Sequence, residues 1–302
     1  MNYAPIVLFV YNRPQHAILT IEALKKNKLA RESILYVFSD APKGATEIFS
    51  VQKVRDFINN IQGFKSVNIV ERNKNMGLAN SIIDGVTKVC DEHGKVIVVE
   101  DDLVTSPYFL SYMNDALNLY EHNERVISIH GYVYPVEEDL PETFFLPGAD
   151  CWGWATWRRG WALFNSDGET LLDELKSRKL IKNFDFNGSH PYSKMLEGQI
   201  KGANNSWAVR WYASAFLANK LTLYPGRSLV HNIGNDNSGT HCGTTRNHDS
   251  ELSQVPIELI DVKVEPSIIA SLAFERFFLK QRPGIFRRKL VKMIALCRKT
   301  NN

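Results

Sequence analysis

The sequence predicts an α/β protein built on a doubly wound, mostly parallel sheet. Three observations carry that prediction: short apolar runs rich in β-branched residues recur along the first hundred residues, stretches with helical spacing separate them, and one run ends in three consecutive acids. Strands that are apolar along their whole length suit a sheet covered by helices on both faces. In such sheets ligands collect at the carboxyl ends of the strands, which makes the acidic strand end the first place to look for chemistry.

The first run, residues 5–10 (PIVLFV), is followed by Ile18, Ile21 and Leu24 at helical spacing. Residues 34–38 (ILYVF), 67–70 (VNIV) and 96–99 (VIVV) read as the next strands, and Leu78, Ile82, Ile83, Val86 and Val89 mark a helix before the last of them. This alternation makes βαβ units. The second half changes character. Residues 107–120 read as helix and 126–132 as strand, and residues 151–164 (CWGWATWRRGWALF) hold four tryptophans. Asn205 and Ser206 can cap a helix running through Trp207, Trp211 and Phe216 to about residue 219. A strand at 221–224 precedes a loop, 225–249, rich in Gly, Asn, Ser and His.

The chain has 302 residues, 44% hydrophobic and 23% charged, the profile of an ordinary folded protein. Its apolar runs fall far short of the roughly 20 residues that cross a bilayer, and the first residues lack a basic, cleavable leader pattern. Four scattered cysteines (Cys90, Cys151, Cys242, Cys297) form no CxxC pair, which argues against a zinc knuckle or a disulfide scaffold and for the reducing cytosol. The net charge of +3 includes nine cations and no acid after Glu275, which leaves residues 1–275 at −6. An acidic body argues against general nucleic-acid binding. Residues 274–297 alternate bulky apolar and basic side chains, and from Ile285 onward the apolar ones can share a helix face. Such a tail suits an anionic membrane surface; the other reading is a helix packed on the domain.

The segment KVIVVEDDL, residues 95–103, places Glu100, Asp101 and Asp102 at the end of a buried strand. Adjacent carboxylates repel, and hard oxygen ligands suit Mg²⁺ or Mn²⁺, which take one or two protein carboxylates and complete their shell with water and substrate phosphates. A solvated strand end or a cap for the following helix is the alternative.

The triplet, its apolar strand and the downstream VTSPYF resemble glycosyltransferases of the GT-A fold, in which a DxD-type motif holds the metal of a nucleotide-sugar. The likeness is nearest to N-acetylglucosaminyltransferase I and to bacterial, family 2-like transferases of surface polysaccharides (lipopolysaccharide or capsule), over roughly residues 4–245. It implies a GT-A domain at 1–265, with a nucleotide-binding half (1–103) and an acceptor half (104–265), and a basic amphipathic tail at 266–302. The implied activity moves a sugar from a nucleotide-sugar, with UDP-sugar favoured and Mn²⁺ or Mg²⁺ as cofactor, to a glycan or lipid-linked acceptor. The implied place is the cytoplasm, with peripheral contact at the inner face of the cytoplasmic membrane. A nucleotidylyltransferase making sugar nucleotides is the alternative enzyme, but that class expects a glycine-rich loop after the first strand, and YNRPQH has no glycine. A noncatalytic carbohydrate-binding protein on the same scaffold is the alternative of another kind.

The resemblance assigns roles by position. Arg13 would meet the donor nucleotide, Asp40 the uracil ring, and Arg72, Asn75 and Gly77 (in RNKNMGLAN) the donor phosphates and sugar; Asp40 could equally be a turn residue before Pro42. Glu100 would contact the transferred sugar, Asp101 the ribose or metal, and Asp102 the metal. Trp152 and Trp154 would lie beside the sugars, against a core role for the same rings. His231 and His241, in VHNIGNDNSGTHC, could serve as metal or phosphate ligands, or be ordinary loop residues. An inverting reaction, preferred here to a retaining one, needs a base. The relative carries an acid in a Trp-Asp-Asp-Trp stretch, but this chain reads Trp207-Ala208-Val209-Arg210-Trp211. Asp150, Glu197 and Asp236 are the candidates left.

Overall fold

The computed structural model describes residues 3–237, 246–260 and 262–282. The first half runs β1 (Ile6–Val10), α1 (Pro14–Lys25), β2 (Ile34–Ser39), α2 (Ile48–Ile58), β3 (Ser66–Glu71), α3 (Leu78–His93), β4 (Lys95–Glu100), β5 (Leu103–Thr105) and α4 (Phe109–Leu119). The second half adds β6 (Val126–His130), β7 (Thr143–Pro147), β8 (Trp154–Trp157), α5 (Arg158–Trp161), α6 (Gly168–Ser177), α7 (Ile181–Phe184), α8 (Tyr192–Ile200), α9 (Trp207–Leu217), β9 (Leu221–Pro225), β10 (Val230–Asn232) and α10 (Ile268–Lys280).

Among the described residues, eight strands form one sheet in the order β3-β2-β1-β4-β8-β6-β9-β7. β1 pairs in parallel with both β2 and β4, and β6 in parallel with β9. β8 and β7 run against their neighbours, so six of the eight strands share one direction and the sheet is mostly parallel, as the sequence predicts. A two-stranded ribbon pairs β10 with β5. Strand order reverses at β1: the chain moves outward through β2 and β3, then returns to place β4 on the other side. The carboxyl ends of β1 and β4 therefore flank the crevice where such sheets bind ligands.

Alternation along the strands accounts for their being apolar throughout. Ile6, Leu8, Val10, Ile97 and Val99 face a core shared with α1, α2 and α4, through side chains such as Ile21, Leu24, Val54 and Met113. Val7, Phe9, Val96 and Val98 face the opposite layer, with Ile82, Val86 and Val89 of α3 and the tryptophans. Each face is covered, so neither set of positions tolerates polar residues. Local signals set the helix ends. Pro14 opens α1, the Ser206 hydroxyl accepts the Val209 N–H at the start of α9, and Gly94 closes α3 in the left-handed conformation.

Two expectations change. The tryptophan block is a strand, β8, wedged antiparallel between β4 and β6. Trp154, expected beside the sugars, is instead 0% exposed. It lies with Trp161, Trp207 and Trp211 in one aromatic cluster, because its position on β8 points it under α9. The start of the basic segment is also part of the body: in α10, Ala270, Ala273, Phe274 and Phe278 pack against Val133, Phe144, Leu146 and Tyr224. The rest of that segment, from Pro283, lies outside the described residues, as does His241. No helix among the described residues is long and apolar enough to cross a membrane.

Phe274→Ala should therefore cost about 3 to 5 kcal/mol in urea unfolding. Leu272→Ala, on the exposed side of α10, should stay within about 0.5 kcal/mol.

Candidate active site

The site begins with two strand ends. β1 delivers Arg13 at the first turn of α1, and β4 delivers Glu100, Asp101 and Asp102 directly across from it. The Arg13 guanidinium donates to Asp101 Oδ1 and, at 2.9 Å, to Asp102 Oδ2. α1 also holds the triplet's backbone, since the Thr20 hydroxyl donates to the Asp101 carbonyl at 2.8 Å. One cation faces three acids, and the balance is visible in their protonation. Burial raises the Glu100 pKa, with Asp102 and Asp101 adding to the rise. Burial raises that of Asp101 too, although Arg13 opposes it. Burial works to lower the Arg13 pKa, but Asp101 and Asp102 outweigh it and keep the guanidinium charged.

Asp101 is 4% exposed, and its Oδ2 has no hydrogen-bond partner. A buried carboxylate oxygen without a partner is costly, and net negative charge beside it makes a divalent cation the complementary ligand. The residues present fit such an ion. The ligand set is not closed by protein: among the described residues no three His, Cys, Asp or Glu side chains are grouped to hold a metal. His231 stands in β10, opposite Val104, with Nδ1 at 3.2 Å from the Ser250 carbonyl.

A returning segment covers the triplet. The Ile233 N–H donates to the Asp102 carbonyl at 2.9 Å, and Gly234 is pressed against the Asp102 carboxylate so closely that a Cβ would collide with it. Asp236 meets His16 Nε2 at 3.2 Å, and His16 in turn favours the charged form of Asp101. His16 was not singled out from sequence; its position one helical turn after Arg13 was the available signal.

The neighbouring loop serves a different end. Asp40 accepts the N–H groups of Ala41, Met76 and Gly77 at 2.9 Å each, and the Asn75 amide donates to the Ala41 carbonyl at 2.6 Å. These contacts fasten the turn before α3, so the Asp40 carboxylate is committed to backbone. Arg72 lies over the Phe38 ring and ion-pairs with Asp84 on α3.

On the other side of the triplet stands Asp150. Its Oδ1 accepts the Cys151 N–H at 2.8 Å, and the half-buried Cys151 thiol is raised in pKa by loss of solvent and, beyond that, by Asp150, Glu100 and Asp102. The structure thus brings Asp150 and the triplet around one side chain. Gly148, at φ +87°, packs its backbone against the Tyr212 ring, where a Cβ would collide. Trp152 is half-buried here, its ring 4.7 Å from that of Tyr132. Glu197 sits on α8, which packs against α6, α7 and α9, and no described interaction joins it to the triplet. His130 and Cys151 were missed in sequence; a histidine ending an otherwise apolar strand (VISIH) was the signal for the first.

No family model matches this chain, and no curated protein matches it in sequence. Solved structures do. A mannosyltransferase, PcManGT from Pyrobaculum calidifontis in complex with GDP-Man and Mn²⁺, is 13% identical, with 44% of this chain covering 36% of that one at a TM-score of 0.32. TarS from S. aureus (residues 1–349) is 13% identical, with 59% covering 49% at 0.35. A UDP-glucose pyrophosphorylase complexed with UDP-glucose is 11% identical, with 53% covering 79% at 0.32. The chain spans less than half the length of the two transferases.

Two measurements check the geometry of the site. Arg13→Met should destabilise the protein by about 3 kcal/mol, because it strands a buried carboxylate; the loss should shrink as pH falls toward 5, below the Asp101 pKa of about 6. His130 is fully buried and its pKa is lowered to about 4 by burial, against the pull of Asp150. Its folded value lies below the unfolded one near 6.5, so the stability it allows is complete at neutral pH and declines as pH falls toward 4. Between pH 7.5 and 5 this residue should cost the wild type about 2 kcal/mol relative to His130→Phe in urea unfolding.

Proposed function

We propose that the chain is a metal-dependent glycosyltransferase that moves a sugar from a nucleotide-sugar, with UDP-sugar favoured, to a glycan or lipid-linked acceptor in surface polysaccharide synthesis. One observation carries the reading: Arg13 and an undercompensated acidic triplet, with the partnerless Asp101 Oδ2 among them, meet at the strand ends flanking the β1–β4 crevice. Asp101 and Asp102 would hold Mg²⁺ or Mn²⁺. When bound, that ion supplies positive charge where the departing diphosphate becomes more negative. Arg13 would add a second cation for phosphate, and Glu100 would contact the transferred sugar. The 232–236 segment would exclude water over the donor, since hydrolysis competes with transfer.

Of the three candidate bases, Asp150 is preferred, because it lies in the loop before β8, which pairs antiparallel with β4 so that this loop emerges beside the strand end carrying the triplet. Asp236 is tied to His16. Trp152 replaces Trp154 as the aromatic surface for a sugar ring, because only the former reaches the rim. Asp40 would act through the backbone it fastens, by holding Gly77 and Met76 in place. The particular likeness to N-acetylglucosaminyltransferase I and an inverting route belong to this reading. So does peripheral contact with the inner face of the cytoplasmic membrane, which the exposed Ile268, Ile269 and Leu272 of α10 and the basic residues after it would favour.

Thermal stability with UDP, GDP, CMP and dTDP, each with and without Mn²⁺, tests the donor site. One nucleotide should stabilise the protein only with Mn²⁺, by about 2.7 kcal/mol at a hundredfold excess over Kd, and Asp102→Ala should abolish the effect. If no nucleotide stabilises the wild type, the proposal is wrong.

A further inference from the structure

His130 ends β6 at 0% exposure, and neither of its ring nitrogens has a hydrogen-bond partner. A buried polar atom left without a partner is unfavourable, a cost that a role at the site would offset. Asp150 Oδ2 lies 3.8 Å from the His130 Nε2. The other oxygen, Oδ1, is fixed by the Cys151 N–H, which leaves Oδ2 as the oxygen turned toward the histidine. An N–H···O bond spans about 2.9 Å, so a side-chain movement on the order of 1 Å would close this one. Asp150 is 24% exposed and so reaches from the buried ring to the rim where Trp152 stands.

The surroundings keep the pair simple. Burial holds His130 neutral, and a neutral imidazole offers one N–H and one bare nitrogen. The other side chains in the field of Asp150 include Tyr132, Tyr134, Tyr192 and Tyr224, whose hydroxyls burial holds protonated, with Asp150 reinforcing the effect. His190 is also held neutral by burial, its pKa lowered to about 4. No cationic side chain among the described residues forms an ion pair with Asp150.

We infer that His130 is the positioning residue of Asp150: its Nε2–H holds Oδ2 aimed at an acceptor hydroxyl, and Asp150 takes the proton of that hydroxyl. The inference rests on the transferase reading above. In the step, the acceptor oxygen forms a bond to the anomeric carbon, and the bond from that carbon to the diphosphate oxygen breaks. The electron pair leaves with the nucleoside diphosphate, and the acceptor proton goes to Asp150 Oδ2. His130 transfers no proton and stays neutral throughout; its contribution is aim.

The test follows nucleotide release from UDP-glucose, UDP-N-acetylglucosamine, UDP-galactose and GDP-mannose with Mn²⁺, water serving as acceptor, alongside nucleotide affinity from melting shifts. His130→Phe should lower turnover by about tenfold to a hundredfold while nucleotide affinity stays within about twofold. His130→Gln, whose amide can donate to Asp150, should recover several-fold of that loss. Near-wild-type turnover in His130→Phe, or no advantage of Gln over Phe, overturns the inference. A second measurement needs neither turnover nor a folded variant: ¹⁵N-histidine spectra of the wild type at neutral pH should show His130 as the Nε2–H tautomer. The Nδ1–H tautomer overturns the assignment. If the wild type binds no nucleotide and turns over no donor, the transferase reading falls on its own, and the tautomer still decides whether His130 donates to Asp150.

Discussion

Much of this molecule is arranged around the repulsion among Glu100, Asp101 and Asp102. Three adjacent acids at the end of a buried strand would not tolerate each other without a cation, and Arg13 supplies one from the neighbouring parallel strand. That pairing needs β1 and β4 side by side, which the reversal of strand order at β1 provides. It also needs the first turn of α1 in register with the strand end, which Pro14 at the helix start and the Thr20 bond to the Asp101 carbonyl secure. One guanidinium does not balance three carboxylates. Burial and the neighbouring Asp102 and Asp101 answer the imbalance by pushing the Glu100 pKa up to about 8, toward its protonated form.

The rest of the site is assembled from distant parts of the chain by the sheet. β8 enters between β4 and β6 and runs opposite to both. Its preceding loop, from Gly148 to Gly153, therefore emerges at the same end as the triplet and carries Asp150, Cys151 and Trp152 there. The β10 ribbon does the same for residues 232–236, which bond to the backbone of Asp102 and pack Gly234 against its carboxylate. Polar function is thereby concentrated at one rim, while the opposite ends and both faces of the sheet are given over to packing.

Tryptophans illustrate how packing and binding divide one motif. Residues 151–164 look uniform in sequence, yet strand alternation and the layer above sort them. Trp154 joins Trp161, Trp207 and Trp211 beneath α9, Trp157 turns to the other face with its indole N–H donated to the Leu117 carbonyl, and Trp152 alone stays at the rim. A similar division separates Asp40 from Asp102. Both end buried strands, but three backbone N–H groups claim the first, and the second retains its carboxylate for Arg13 and the crevice.

The sequence by itself determined the class of fold and the parallel core, and it marked the acidic strand end as the place to look for chemistry. Strands buried on both faces must be apolar at every position, so residues 5–10, 34–38 and 96–99 announce themselves, and three adjacent acids at such a strand end are costly unless a cation meets them. It could not show β5, β7, β8 and β10 or the helices between residues 168 and 200, whose partners lie far along the chain and whose local patterns are weak. Nor could it show that α10 packs on the body, since an amphipathic basic stretch reads the same whether its apolar face meets lipid or protein. That an oxygen of Asp101 is left without a partner, that His130 faces Asp150, and that His16 meets Asp236 were decided by tertiary structure alone. Those facts depend on distances between side chains brought together by strand order, and strand order is set by the summed burial of whole faces rather than by any short run of residues.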